Sequence, residues 1–509
     1  MASSGQLIPI RLPRVCGSCK ILTARNASKP GYSVKAARPS ETSGFSSIQN
    51  SSVQLQSDIR RSMAVRAISP DTQTSHDIDR HPKGLYVLFA TEMWERFSFY
   101  TMVSMFTLYL RDPNEGFAWT AAQASTLYAN YMMFVYCSPL IGGWIADRKL
   151  GYRRAVMLGG FFFMAGHLLL SVRSMAFVYA ALTCLVIGNG FFKPNVSTMV
   201  GNLYPDGSHL KDRAYNLFYM GINVGAFLAP VVATLVQARF GFHPAFAVAA
   251  FGMVISVTIL WKFKHYLEDE KHRAPKPSAS SESKAAGKQG VMDAVAEWKR
   301  IGALIVVFAV VVVFWMVFHQ NGTTITYWAD ENTNWNVRGI ISNAINPAWV
   351  IILTFPLITL WKWLDKRGKE PATPTKMVLG MVMTSLAFLI FFIAAKTGEA
   401  TVTGDNIYAF KMSPLWLLGA YGVLTLGELM LSPMGLSLVS KVAPTRFRGV
   451  MMGGWFVATG LGNKLTQIAV FWTEWRHSTF WLVLSAAAMV MAVVLLLLLK
   501  PLKKAMPGV

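Results

Sequence analysis

Apolar stretches of about 20 residues, interrupted by short breaks of Gly, Pro and clustered basic residues, recur along most of this chain and predict bilayer-crossing helices. Twelve such spans are centred near residues 98, 133, 164, 188, 225, 253, 309, 352, 387, 426, 460 and 488. An even number returns the chain to the side on which it started. The pattern therefore predicts an all-α polytopic membrane protein. Its first span, Leu85 to Leu110, contains Glu92, Glu95 and Arg96. A single charge at the centre of a membrane helix costs roughly 2.5 to 3.5 kcal/mol, so this group persists only if it faces a wet, protein-lined interior and pairs there. Positions i and i+4 share a helix face, so Glu92 is expected to meet Arg96, with Tyr100 one turn further and Glu95 beside it.

Composition agrees with a membrane class. Hydrophobic residues are 53% of the chain and charged residues 15%, with mean hydropathy +0.38, a balance that soluble domains rarely show. The net charge of +22 does not imply nucleic-acid binding. Much of it lies in short loops and ends such as 148–154 and 362–369, where the bias toward positive inner loops explains it. That bias places both ends of the mature chain and the central loop on the cytoplasm-equivalent face.

Residues 1–70 differ in kind. Ten Lys or Arg face only Glu41 and Asp58 there, so +8 of the net charge belongs to this Ser-rich segment. It has no apolar run, which fits an organelle transit peptide and not a secretory signal. The opening Met1-Ala2-Ser3-Ser4 and the tripeptide Val65-Arg66-Ala67 favour a plastid, with its inner envelope as destination; the mitochondrial inner membrane is second. Cys16 and Cys19 form a lone C-x-x-C inside that segment, while Cys137 and Cys184 lie in spans as packing residues. No disulfide framework, metal site or cofactor is expected.

Residues 71–83 read as a polar lead-in, 84–263 as a first six-helix bundle, 264–298 as a flexible basic linker, 299–500 as a second bundle and 501–509 as a short basic tail. Six spans on each side of a linker is the arrangement expected of two repeats with a site between them near the bilayer midplane. The loop Gly142-Gly143-Trp144-Ile145-Ala146-Asp147-Arg148-Lys149-Leu150-Gly151-Tyr152-Arg153-Arg154 resembles the loop motif of the major facilitator superfamily. That resemblance implies twelve transmembrane helices in two six-helix halves, with Asp147 and Arg148 as a gating latch.

Further polar residues recur within spans, among them Lys193, Asn195, Tyr219, Asn223, Trp315, His319, Asn346, Glu428, Ser432 and Trp455. Lys193 and Glu428 should face the same cavity as the first-span charges. Glu92-Met-Trp-Glu95-Arg96-Phe97-Ser98-Phe99-Tyr100 resembles the E-x-x-E-R-F-x-Y-Y signature of the proton-coupled oligopeptide transporter (POT) family. Lys193 to Ser197, Phe218 to Asn223 and Glu428 to Ser437 are similar to three further motifs of that family, in order. The resemblance covers about residues 81 to 500. It implies a monomeric symporter of small peptides and protons, working by alternating access. By resemblance, Glu92, Glu95 and Arg96 form the proton-coupling cluster with Lys193 as its salt-bridge partner. Tyr100, Tyr219 and Asn223 would line the cavity, and Glu428 would receive a peptide amino terminus among Trp315, Asn346, Ser432 and Trp455. A zwitterionic peptide needs a cation at one end and an anion at the other, with aromatic walls that accept varied side chains.

Two positions depart from the family pattern. Val103 stands where the family has an Arg, and His319 where it has an acid, so both members of a first-to-seventh-span pair are absent together. Losing only the Arg would strand a buried carboxylate, whereas Val with a neutral His leaves no orphan charge. Two expectations follow. His319 takes part in proton coupling, since an imidazole ordinarily titrates near pH ~6.5, or it is a hydrogen-bonding pore residue. The carboxylate end of a peptide is held by Lys193 alone, which leaves nitrate or another small metabolite as the alternative cargo; Glu428 would repel an anion. His167 reads as a packing residue, and Lys464 either pairs with a cavity acid or snorkels to the interface. An enzyme is not expected, for the chain has no H-E-x-x-H, no G-x-S-x-G and no P-loop. A transporter-like sensor without flux is the remaining alternative.

Overall fold

The computed structural model describes residues 81–204, 210–267, 295–444 and 447–505. The expected transit segment and most of the polar lead-in, as far as residue 80, the linker residues 268–294 and the last four residues lie outside that set. Among the described residues twelve helical segments are long enough to cross a bilayer. Spans 1 to 6 are Lys83–Arg111, Ala121–Ile145, Tyr152–Leu170, Met175–Asn202, Leu210–Phe240 and Phe242–Lys262. Span 7 is Glu297–Phe318, continued through the 3-10 turn His319–Gly322 into Thr324–Glu331. Spans 8 to 10 are Ile345–Asp365, Thr373–Glu399 and Pro414–Val442. Span 11 is Arg448–Leu465 with the 3-10 extension Thr466–Thr473, and span 12 is His477–Leu497. They lie where the apolar pattern predicts them. Nine are recognisable by length and hydropathy, and spans 1, 2 and 11 are not. The one extended pairing among the described residues is an isolated bridge between Thr333 and Met412.

Small polar side chains join helices where lipid offers no competing partner. Span 1 packs on spans 5 and 6; Ser98 Oγ donates to the Ala249 carbonyl at 2.6 Å, and Ser256 Oγ to that of Thr91 at 2.7 Å. Spans 9 and 12 are joined through Ser385 and Ser485, whose hydroxyls lie 3.0 Å apart and each donate to the other's carbonyl. Spans 2 and 4 approach so closely that a Cβ on Gly142 would collide with the Gly190 carbonyl. Only glycine fits there. Span 2 itself starts at a capping box, with Thr120 and Gln123 exchanging side-chain to backbone bonds at 3.2 and 3.0 Å.

The end carrying residues 83, 145, 202, 262, 297 and 442 is termed inner, and the opposite end outer. The halves are joined toward the outer end. Arg111 Nη2 contacts Glu331 Oε1 at 2.6 Å, and the Arg111 guanidinium lies 4.3 Å above the Tyr327 ring. Arg338 reaches Asp112 at 3.9 Å and Asp330 at 3.4 Å. Thr107 donates to the Gly322 carbonyl at 2.9 Å, and Ser125 and Tyr327 hydroxyls lie 3.1 Å apart. Lys464 Nζ donates to Asn130 Oδ1 at 2.5 Å, and Gln467 Nε2 to Thr126 at 3.3 Å. Spans 4 and 10, whose inner ends would close the opposite side, share no such bond among the described residues. The described contacts between the halves therefore close the outer side. Among the described residues Lys464 pairs with no acid: its ammonium bonds to Asn130 and, at 2.6 Å, to Gln467 Oε1.

Candidate functional site

Span 1 buries its charged triplet almost completely, with Glu92, Glu95 and Arg96 at 2%, 0% and 4% exposure. Arg96 meets Glu92 one turn back, Nε to Oε1, at 3.2 Å, as the spacing predicts. Its closer partner is the adjacent Glu95: Nε and Nη2 reach the two carboxylate oxygens at 2.5 and 2.7 Å. The planar guanidinium folds back to grip Glu95 in a two-point fork, which a point charge could not do. Glu92 Oε2 is left buried without a hydrogen-bond partner. Two carboxylates share one guanidinium, so the triplet carries a spare negative charge unless a proton occupies it.

Lys193 lies within electrostatic reach of both carboxylates and of Arg96. Among the described residues it makes no ion pair within 4.0 Å. Its ammonium instead sits 4.7 Å over the ring of Tyr136 in span 2. The expected salt bridge between Lys193 and the triplet is therefore not formed among the described residues, and the cation rests on an aromatic face. Neighbouring polar residues of the same motif serve the helix: Asn195 donates to the Phe191 carbonyl at 2.7 Å, and Ser197 to that of Lys193 at 3.3 Å.

Tyr136 was not singled out by the sequence, since one tyrosine in an apolar span carries no signal. It joins the halves: the His319 ring of span 7 lies 5.8 Å away, centroid to centroid. His319 stacks on Trp315 at 4.6 Å and 16°. Buried Nδ1 of His319 and Nε1 of Trp315 both lack hydrogen-bond partners. Span 7 breaks its α-helix at His319, and Gln320 secures the break by donating to the Met316 and Thr466 carbonyls at 3.1 and 3.4 Å and accepting from Thr323 and Thr324 at 3.1 and 2.8 Å. Val103 is buried in span 1.

In the second half, Asn346 Nδ2 donates to Glu428 Oε2 at 2.9 Å and contacts Thr425 Oγ1 at 3.0 Å. Thr425 is a second residue the sequence did not single out. Glu428 and Ser432 are half-buried, and Glu428 has no cationic partner among the described residues. Trp455 is 3% exposed and packs over Gly435, where a Cβ would strike its ring. Tyr219 is 43% exposed although it lies in mid-helix, and Asn223 donates to its carbonyl at 2.9 Å. Tyr100, Tyr136 and Tyr219 all lie within electrostatic reach of Glu428, and Tyr100 also of Glu92 and Glu95. Polar groups from both halves thus converge on one space. It offers an ammonium and an imidazole toward one side, a lone carboxylate toward the other and tyrosines between.

Other sequence candidates stand apart. Asp147 and Arg148 lie in a π-helical turn, Ala146–Leu150, where Arg148 stacks over Trp144 at 4.7 Å and Asp147 sits beside Tyr152. His167 is fully buried, stacked on Phe163 at 6.2 Å, with neither ring nitrogen bonded.

Comparison with known proteins places this geometry in a lineage. The sequence matches the Major Facilitator Superfamily over residues 95–465. It is 30% identical over 483 residues to the uncharacterized transporter YclF of Bacillus subtilis, covering 84% of this chain and 96% of the relative. It is 28% identical over 499 residues to the di-/tripeptide transporter of Lactococcus lactis subsp. lactis, covering 84% and 97%. A crystal structure of the peptide transporter POT in complex with sulfate superimposes with a TM-score of 0.74 at 28% identity, covering 84% of this chain and 96% of that one. The chain is an integral, multi-pass membrane transporter belonging to the POT, or peptide-transporter, family of the major facilitator superfamily.

Proposed function

We propose that this protein is a proton-coupled symporter of di- and tripeptides that works by alternating access of its two helical halves. The observation that carries the reading is Glu428, a half-buried carboxylate oriented by Asn346, with Tyr136 lying both under Lys193 and within electrostatic reach of Glu428. A peptide ammonium placed at Glu428 would supply the missing cation, and its carboxylate would replace Tyr136 as the partner of Lys193. Trp315, Trp455, Tyr100, Tyr219, Asn223 and Ser432 form the walls. Glu92, Glu95 and Arg96 carry the coupling proton, because one guanidinium cannot balance two buried carboxylates and protonation of one restores neutrality. When Lys193 engages the substrate, its field on the triplet changes, which links binding to protonation. Asp147 and Arg148 would act at the inner gate. Protons are the coupling ion, with no cofactor, and the monomer is the working unit.

The test is uptake of labelled dialanine into proteoliposomes containing the full chain, with and without an inward proton gradient, alongside Glu95→Gln and Glu428→Gln. Gradient-driven uptake that both variants lose supports the reading. No uptake by well-folded protein rejects peptides as cargo and favours the second reading, a small metabolite or nitrate. Val103 and His319 are the specific observations behind that alternative, because together they remove a charged pair from the family pattern. For His319, an unchanged pH profile of uptake in His319→Gln would remove it from coupling. We further propose that residues 1–70 direct the protein to a plastid inner envelope. A fluorescent fusion of residues 1–80 tests this, and mitochondrial or cytosolic fluorescence rejects it.

A further inference from the structure

A cavity of about 760 Å³ opens at the inner end of the first half, well away from the space between the halves. Its walls come from the start of span 1, the turn between spans 2 and 3, and the inner ends of spans 4 and 6. Lys83, Lys149, Arg154 and His265 line it, against one carboxylate among the described residues, that of Asp147. Among the described residues none of the three permanent cations has an ion-pair partner within 4.0 Å; Lys83 lies 5.4 Å over the Tyr266 ring. Bias toward positive inner loops accounts for cations at this level of the membrane. It does not by itself account for their convergence on one concave site with no carboxylate within ion-pair distance among the described residues.

Backbone polarity acts in the same direction. Spans 1 and 3 both begin at this cavity, at Lys83 and Tyr152, with no side-chain cap and no acidic residue in the first turn. The dipoles of these two helix starts, uncapped by side chains, add to the positive potential. The level in the membrane is marked by exposed aromatic residues of the adjoining helix ends, Tyr86, Trp144 and Trp261, at 56%, 50% and 62%. Such rings collect at the headgroup layer. A basic pocket between helix ends at that depth has the chemistry to hold a phosphodiester.

We propose that this cup is a binding site for a phosphate-bearing anion, supplied either as the headgroup of an anionic lipid or as a soluble organic phosphate. Occupancy would tie the starts of spans 1 and 3 to the ends of spans 4 and 6, bracing the inner end of the first half. The site is independent of the cargo, so the peptide reading can fail without affecting it.

The test measures the unfolding temperature of the full chain in phosphatidylcholine nanodiscs. One arm dopes the bilayer with phosphatidylglycerol, and the other adds glycerol phosphate to the solution. Both are repeated on Lys83→Gln/Lys149→Gln/Arg154→Gln, and on Lys362→Gln/Lys366→Gln/Lys369→Gln, which removes equal charge from the inner loop of the second half. The native chain and the second variant are expected to be stabilised, and the first is not, with apparent affinity falling roughly fivefold for each cation removed. A shift with the doped bilayer alone assigns the site to a lipid, and a shift with glycerol phosphate assigns it to a soluble anion. No shift in either arm, or equal loss in both variants, overturns the proposal. Lys149→Gln alone, at an exposed turn position, serves if the triple variant does not fold.

Discussion

Replacing Arg111 by Gln should loosen the outer side of the transporter. In the native chain the guanidinium contacts Glu331 across the halves at 2.6 Å and covers the Tyr327 ring at 4.3 Å. The bare Coulomb attraction at that separation is about 6 kcal/mol at an effective dielectric of 20. Solvent screening removes most of it, because the two side chains are 22% and 37% exposed, and pairs at such exposure contribute ~0.2 to 1 kcal/mol. The ring contact contributes about 0.5 to 1 kcal/mol more. Only outer-closed states have these contacts, so Arg111→Gln should move the balance between states by about 1.5 kcal/mol, roughly tenfold, toward outward opening.

Spin labels at Asn114 and Asn334, exposed outer-loop positions of opposite halves, would report it as a longer-distance population in pulsed EPR, in a background with the four native cysteines replaced. Glu331→Gln should produce the ion-pair part of the shift. The double variant should fall short of additivity by up to ~1 kcal/mol, the pair's own coupling. An unchanged distance distribution in Arg111→Gln, or strictly additive single effects, would refute the assignment of these contacts to the outer gate.

Lys464→Met should open the same side by more, about 1.5 to 3 kcal/mol in the same assay, because a charged donor to Asn130 and Gln467 is lost at a part-buried position. Asn346→Ala should raise KM for dialanine about tenfold by freeing Glu428 from its orienting bond, with smaller change in the maximal rate; an unaltered KM would detach Asn346 from the site. Gly142→Ala should lower the unfolding temperature, since its Cβ would meet the Gly190 backbone and force spans 2 and 4 apart at a cost of about 1 to 3 kcal/mol. A variant as stable as the native chain would show that the two helices do not depend on that close approach.

The pattern of apolar runs and breaks located the twelve spans and their order, because each helix must satisfy its own backbone in lipid and so needs about 20 largely apolar residues in series; by hydropathy alone nine of them stand out, and spans 1, 2 and 11 do not. The buried charges were legible for the same reason: Glu92, Glu95, Arg96, Lys193 and Glu428 stand out against an apolar background that penalises them. Partnership was not legible. The spacing of Glu92 and Arg96 suggested their pair, yet the adjacent Glu95 takes the closer grip through the geometry of a fork. Lys193 rests on Tyr136, a residue with no distinguishing signal of its own, and Asn346 is paired with Glu428 across 82 positions of sequence. The outer gate likewise joins Arg111 to Glu331, and Lys464 to Asn130, from opposite halves. Which of two distant helices meet, and at which end they are closed, depends on the packing of whole bundles. Local sequence constrains the helix, and only the tertiary arrangement decides what each polar side chain faces.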